Sequence, residues 1–203
     1  MNRLAVTEYL PLPASEVLVA GTRSHVVIAL PEQGLIQRYR LPGQAPELSR
    51  QFPADGPVEN LAAGPASDGP VLARWCSGSE RHDRCTLALL DLGSFDLLPE
   101  GELSRPRLGG VLRDDLHIRP SPDGTVFGCW QGHSSPSGVF VLLRNGNRLT
   151  SSYQHDSVGW VVPNQTGTHV ATGSGLLPIG SLTTTGQARR TAPALPAHGS
   201  PLY

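Results

Sequence analysis

A chain of 203 residues holds one domain or at most two small ones. Its formal net charge of -1 offers no global field to nucleic acid or an anionic membrane, and no run of about 18 apolar residues exists to span a bilayer as a helix. The 23 Gly and 19 Pro interrupt helices and mark turns, and an aromatic fraction of 5% leaves the core to Val, Leu and Ala.

Met1 to Glu8 lack the apolar stretch of a signal peptide. Three cysteines, an odd number, make no disulfide framework. A cytoplasmic location is the expectation. All 16 basic residues are Arg, which reads as codon bias towards a GC-rich genome and not as a phosphate-binding device.

Leu4 to Leu10 is a first extended stretch, closed by Pro11 to Pro13. Val17 to Gly21 and His25 to Leu30 are strands around the turn Thr22-Arg23-Ser24. The turn Pro31 to Gly34 leads to a third strand, Leu35 to Leu41, so the pattern is an antiparallel meander. Leu41 to Pro57 reads as a connection. Val58 to Ala63, the Asp68-Gly69 turn, Val71 to Trp75, and Cys85 to Leu92 follow, with Cys76 to Arg84 as a polar loop. Phe95 to Leu98 reads as a further strand and Glu100 to Gly110 as a connection.

Leu116 to Trp130 is the clearest unit: a strand, the tight turn Ser121-Pro122-Asp123-Gly124, and a second strand. Val139 to Leu143 and Arg148 to Tyr153 flank Asn145-Gly146, a strong hairpin signal. Trp160 to Val162, the turn Pro163 to Gly167, and His169 to Gly173 repeat the unit. Leu176 to Leu182 and Gln187 to Leu195 are weaker strand patterns. Apolar residues nowhere recur with helical spacing over three turns.

Setting Glu16, Gly69, Gly124 and Gly167 in register aligns the strands that follow them, and Trp75 and Trp130 fall at one repeat position. A β unit recurring at roughly 50 residues, apolar on both faces, must stack on neighbours to hide them. The expected fold is all-β: about four four-stranded antiparallel β-propeller blades across residues 1–203, with repeats roughly 4–52, 53–108, 109–157 and 158–203. A partial propeller is the reading. A closed four-bladed ring is the alternative, since four blades are the minimum for closure.

Ser121-Pro122-Asp123-Gly124 between two strands, and Thr168 to Ser174, resemble the innermost hairpin of WD40-type repeats. The chain is most similar to bacterial WD40-like β-propeller repeat proteins, over most of residues 10 to 175. It lacks their Gly-His pair before the inner strand and the Trp-Asp that closes the third strand, so partners of the eukaryotic type do not carry over.

Cys76, His82 and Cys85 share one loop and are of zinc-binding residue types, but a fourth ligand is missing. They are read as a polar loop with small buried thiols at its ends, with no metal expected. A Cys76–Cys85 disulfide is expected only in an oxidising compartment. Ser24-His25 and His133-Ser134 are neighbours in sequence, which by itself makes no nucleophile and base. Asp68 and Asp123 are expected to bond local backbone amides in their turns. Trp75, Trp130 and Trp160 are expected to pack between blades.

The site expectation is topological. Loops joining the second and third strands, and one blade to the next, gather at one end of a propeller. Those loops carry Arg81, His82, Arg84, His133 and His155, the expected partner-binding residues. The functional expectation is a non-catalytic scaffold for protein–protein interaction or domain docking. Its partner is another protein or the remaining blades or domains of a longer chain, with no nucleic acid and no cofactor. The alternative is a small-molecule-binding or enzymatic bacterial propeller with a central-channel site. Its mark would be acids or His at the inner ends of the first strands, where His117 is the main candidate.

Overall fold

The computed structural model describes residues 16–43, 45–77, 85–101, 103–104, 116–132, 138–155 and 158–182. The expected strands at Leu4 to Leu10 and Gln187 to Leu195 lie outside them.

Four antiparallel sheets follow one another along the chain. Blade 1 is β1 (Leu18–Gly21), β2 (His25–Leu30), β3 (Leu35–Arg40) and β4 (Leu48–Gln51). Blade 2 is β5 (Val58–Ala62), β6 (Val71–Cys76), β7 (Cys85–Leu90) and β8 (Leu103–Ser104). Blade 3 is β9 (Leu116–Pro120), β10 (Val126–Gln131), β11 (Val139–Asn145) and β12 (Arg148–Gln154). Blade 4 has three strands among the described residues: β13 (Val161–Pro163), β14 (His169–Thr172) and β15 (Gly175–Pro178). Each sheet is a simple meander in sequence order.

The first strands sit side by side, β1 against β5, β5 against β9 and β9 against β13. No comparable packing joins β13 to β1 among the described residues. The blades therefore form an open arc of a propeller.

Strand periodicity explains why these sheets stack. Side chains alternate between faces, and here both faces are apolar. In β6, Val71, Ala73 and Trp75 face blade 1, while Leu72 and Cys76 face blade 3. In β11, Phe140 and Leu142 face blade 2, while Val139 and Val141 face blade 4. Each fully buried Leu or Phe contributes roughly 1.5–3 kcal/mol, so the interfaces between blades hold the arc together. The three tryptophans follow this pattern in part. Trp75 is buried at the blade 1–2 interface, edge-on to Phe52 with ring centroids 5.7 Å apart. Trp130 packs at the edge of the blade 3–4 cluster.

Two glycines permit close approach of backbones. A Cβ on Gly64 would sit 2.2 Å from Gly124 N, where the first turns of blades 2 and 3 touch. A Cβ on Gly128 would sit 2.5 Å from Val161 O, where β10 meets β13.

The expected register is corrected in blade 1. Alignment on Glu16 matches Val17 to Ala20 with β6, but β1 is the innermost strand and β2 is the counterpart of β6, β10 and β14. Thr22-Arg23-Ser24 is thus the equivalent of the Asp68-Gly69 and Asp123-Gly124 turns. It contains no Gly, so it carries no turn signal to align on.

Three local expectations also change. Leu48–Gln51 is the outermost strand of blade 1 and not part of a connection. Its side chains are largely exposed, so no apolar alternation marks it. Phe95 to Leu98 is not a strand, because Phe95 has φ 62° and its N–H bonds Asp91 O in a turn. The fourth strand is instead Leu103–Ser104, inside the expected connection. Asn145 pairs with Arg148, so the β11–β12 turn is Gly146-Asn147, one residue later than expected, with φ 60° at Gly146.

Candidate functional site

The first turns of successive blades nest against one another. Arg23 N donates to Ser67 O at 3.0 Å, and its guanidinium donates to Ala66 O at 2.7 and 3.1 Å. Ala66 N in turn donates to Pro122 O at 2.7 Å. Beside this chain of turns, between blades 1 and 2, lies a polar cleft of about 500 Å³.

Its walls come from strand ends that the meander brings to one end of the blades. His25 opens β2, Arg38 and Arg40 close β3, and Glu47 leads into β4. Asp68 precedes β6 and Asp91 follows β7. Glu47 faces two arginines and a histidine. Its carboxylate is 3.4 Å from His25 Nε2, 3.5 Å from Arg38 Nη2 and 3.9 Å from Arg40 Nη1. Arg38 also reaches across to blade 2, donating to Leu92 O at 2.7 Å and Gly93 O at 3.1 Å.

Asp68 is the centre of the other wall. It accepts from Ser24 N (3.0 Å), Ser24 Oγ (2.8 Å) and Thr22 Oγ1 (3.2 Å). The Ser24 hydroxyl holds the carboxyl below its usual range, helped by Ser24 N–H, Thr22 and the Arg23 charge against the opposing effect of burial. The expectation of local bonding therefore fails for Asp68, whose partners lie one blade away. It holds for Asp123, whose carboxylate accepts from Ser121 Oγ at 2.6 Å and Thr125 N at 3.1 Å.

Ser24 Oγ lies 2.8 Å from His25 Nδ1 and 2.8 Å from Asp68 Oδ1. A serine nucleophile must hand its single proton to the imidazole. Here the hydroxyl donates to Asp68 Oδ1, and with its one proton so used it meets His25 Nδ1 as an acceptor. Chemically this is a clamp between two blades.

The described parts of the expected site lie elsewhere. Arg81, His82, Arg84 and His133 are outside the described residues. His155 follows β12 at the end of the blades opposite the cleft, where its Nδ1 is 3.0 Å from Tyr153 Oη. His117 is exposed on β9, the innermost strand of blade 3, with its ring stacked on Trp130 at 5.1 Å between centroids. Among the described residues, no three His, Cys, Asp or Glu side chains converge as a metal site would. Cys76 and Cys85 are not free thiols, because they are joined in a disulfide. They are directly opposite each other on β6 and β7, a pairing that sequence spacing alone does not reveal. The residues of the cleft were visible as Ser24-His25 and Asp68-Gly69. What was missing was the register of blade 1, which places those two turns side by side.

No family model matches the sequence, and no curated protein does. Among solved structures, KlAtg21, in a complex with the coiled-coil of AgAtg16, superposes with a TM-score of 0.55 at 12% identity, covering 79% of this chain and 50% of that one. The chain has a propeller-type fold. The propeller domain of Cps50 (Swd1) from Myceliophteria thermophila gives a TM-score of 0.46 at 10% identity, covering 77% of this chain and 48% of that one. A protein of unknown function from Bacteroides caccae gives 0.47 at 16%, covering 83% and 58%. This propeller arc thus spans about half the length of the first of these neighbours.

Proposed function

We propose that this chain is an arc of a larger WD40-like propeller and serves as a non-catalytic scaffold. It docks further blades, from a partner or from the rest of a longer protein, and through them other proteins. One observation carries the reading: among the described residues no close packing joins β1 to β13, and the outer sheet faces of blades 1 and 4 keep exposed apolar side chains. On blade 1, Ile28, Leu30 and Tyr39 on that face are buried, Val17 is half-buried, and Val19 beside them is 58% exposed. On blade 4 the outer face holds Val162 and Ala171, with Leu176 37% exposed. Faces of this kind pack against another sheet. The KlAtg21 neighbour, in complex with a coiled coil, is in keeping with protein partners.

Light scattering combined with small-angle X-ray scattering tests this. The expected result is association through the arc ends, with Val19→Glu and Leu176→Glu each shifting the mass towards a single chain. A compact, monodisperse monomer whose mass and shape neither substitution changes would overturn the reading.

A further inference from the structure

The blade 2–3 interface is mostly apolar among the described residues, but it buries an ion pair. Arg74, on the central strand β6, is fully buried there and paired with Glu59 of β5. Two charges at such a place carry a large desolvation cost. They also touch both sulfurs of the Cys76–Cys85 bridge. Arg74 Nη2 is 3.4 Å from Cys85 Sγ, and Glu59 Oε2 is 3.3 Å from Cys76 Sγ. A β-bulge between Val58 and Asn60 sets Glu59 off the regular ladder.

This arrangement treats the two sulfurs differently. A guanidinium beside a sulfur stabilises its thiolate and makes it the better leaving group. A carboxylate beside the other sulfur accepts its proton once it is a thiol. Cys129 on β10 provides the contrast. It belongs to the same apolar cluster, is fully buried, and burial alone drives its thiol far above the usual range. One cysteine of the cluster is thus kept an inert thiol, while the other two are given charged neighbours.

We propose that Cys76 and Cys85 form a thiol-exchange site, opened by small thiols and reclosed by their disulfides. Arg74 and Glu59 are its positioning residues. The incoming thiolate attacks Cys76 Sγ, so that the leaving sulfur is Cys85 Sγ, the one beside Arg74. The S–S bond breaks, its electron pair passes to Cys85 Sγ beside Arg74, and Cys76 is left in a mixed disulfide. A second thiolate attacks the external sulfur of that mixed disulfide and releases Cys76 as a thiolate, which takes a proton and faces Glu59. The balance is protein disulfide plus two thiols giving protein dithiol plus one small-molecule disulfide. Reclosure runs in reverse, with Glu59 accepting the Cys76 proton. The site acts on the bridge between β6 and β7 and does not depend on the docking reading above.

The test uses the folded protein with reduced and oxidised glutathione, quenched with acid and read by mass after alkylation, from pH 6 to 9. The expected result is reversible interconversion without loss of the cooperative melt, with Cys129 unlabelled throughout. Glu59→Gln is expected to slow reclosure about tenfold at pH 7 and move its pH profile upwards. Single-cysteine variants keep the proposal testable should Glu59→Gln not fold. In Cys76→Ser, Cys85 beside Arg74 should alkylate with a pH midpoint below that of an ordinary thiol, near 8.5. Reduction that occurs only at the rate of global unfolding would overturn the proposal. So would an unaltered reclosure profile in Glu59→Gln, or an ordinary midpoint for Cys85.

Discussion

Ser24 gives both its backbone N–H and its hydroxyl to one carboxylate oxygen of Asp68, at 3.0 and 2.8 Å, across the joint between blades 1 and 2. A carboxylate held by such donors is stabilised in its charged form, so its folded pKa lies below its unfolded one. The sign of the linkage follows. The contribution is fully present above the unfolded pKa, near 3.9, and is lost as pH falls through the lower folded value. Asp123 works in the same direction. Burial alone pushes it up, but hydrogen bonds from Ser121 and Thr125 outweigh that. The arc should therefore keep its melting temperature from pH 7 to about 5 and lose it below about 4. Asp68→Asn should lower the melting temperature at pH 7 and flatten the acid loss. A variant with the wild-type acid profile would show that this joint does not depend on the Asp68 charge.

Gly64 and Gly21 make a matched pair. A Cβ at Gly64 would meet backbone atoms of Gly124, which have no flexible end to move aside, whereas a Cβ at Gly21 meets nothing within 4 Å. Gly64→Ala should cost about 1–3 kcal/mol in urea denaturation. Gly21→Ala should be close to neutral. Equal midpoints for the two variants would mean that the turns of blades 2 and 3 do not pack as described.

The sheets were legible where burial is two-sided. Val126 and Phe127, or Val139 and Phe140, are apolar neighbours facing opposite clusters, and such runs read as strands. The fourth strands of blades 1 and 2 were not legible, because Leu48–Gln51 lies at an edge and Leu103–Ser104 is two residues long. Neither needs an apolar alternation. The candidate site was illegible for a different reason. Ser24, His25 and Asp68 each stand out in the sequence, but their meeting depends on tertiary register, and a turn without Gly offers nothing to align. The same holds for Cys76 and Cys85, which become partners only once β6 and β7 are known to pair.

Arg38 and Arg40 lie on one strand and face one carboxylate, Glu47, yet they should differ sharply. The Arg38 side chain is 18% exposed and donates to two carbonyls of the next blade, while Arg40 is 69% exposed and 3.9 Å from its partner. Hydrogen bonds from a charged donor contribute about 1.5–3 kcal/mol, and exposed ion pairs contribute little. Arg38→Met should therefore destabilise by about 2 kcal/mol and Arg40→Met by less than about 0.5 kcal/mol. Chemical denaturation of the two side by side checks this, and equal losses would remove Arg38 as the tie between blades 1 and 2.

Arg74 and Glu59 should behave as a unit. Removing one partner of a buried pair leaves the other charge without compensation, at a cost of about 3–5 kcal/mol. Glu59 retains 20% side-chain exposure, so some water reaches its carboxylate and the lower end of that range applies to Arg74→Leu. Replacing both with apolar residues of similar volume removes the stranded charge and is often neutral. The double variant Arg74→Leu/Glu59→Leu should then recover most of the loss. The coupling read from a double-mutant cycle would be at least about 1 kcal/mol. Additive losses would mean that the two charges are solvated separately. In that case the charged environment assigned to the two sulfurs would fail with them, since it depends on Arg74 and Glu59 holding each other in place beside Cys85 and Cys76.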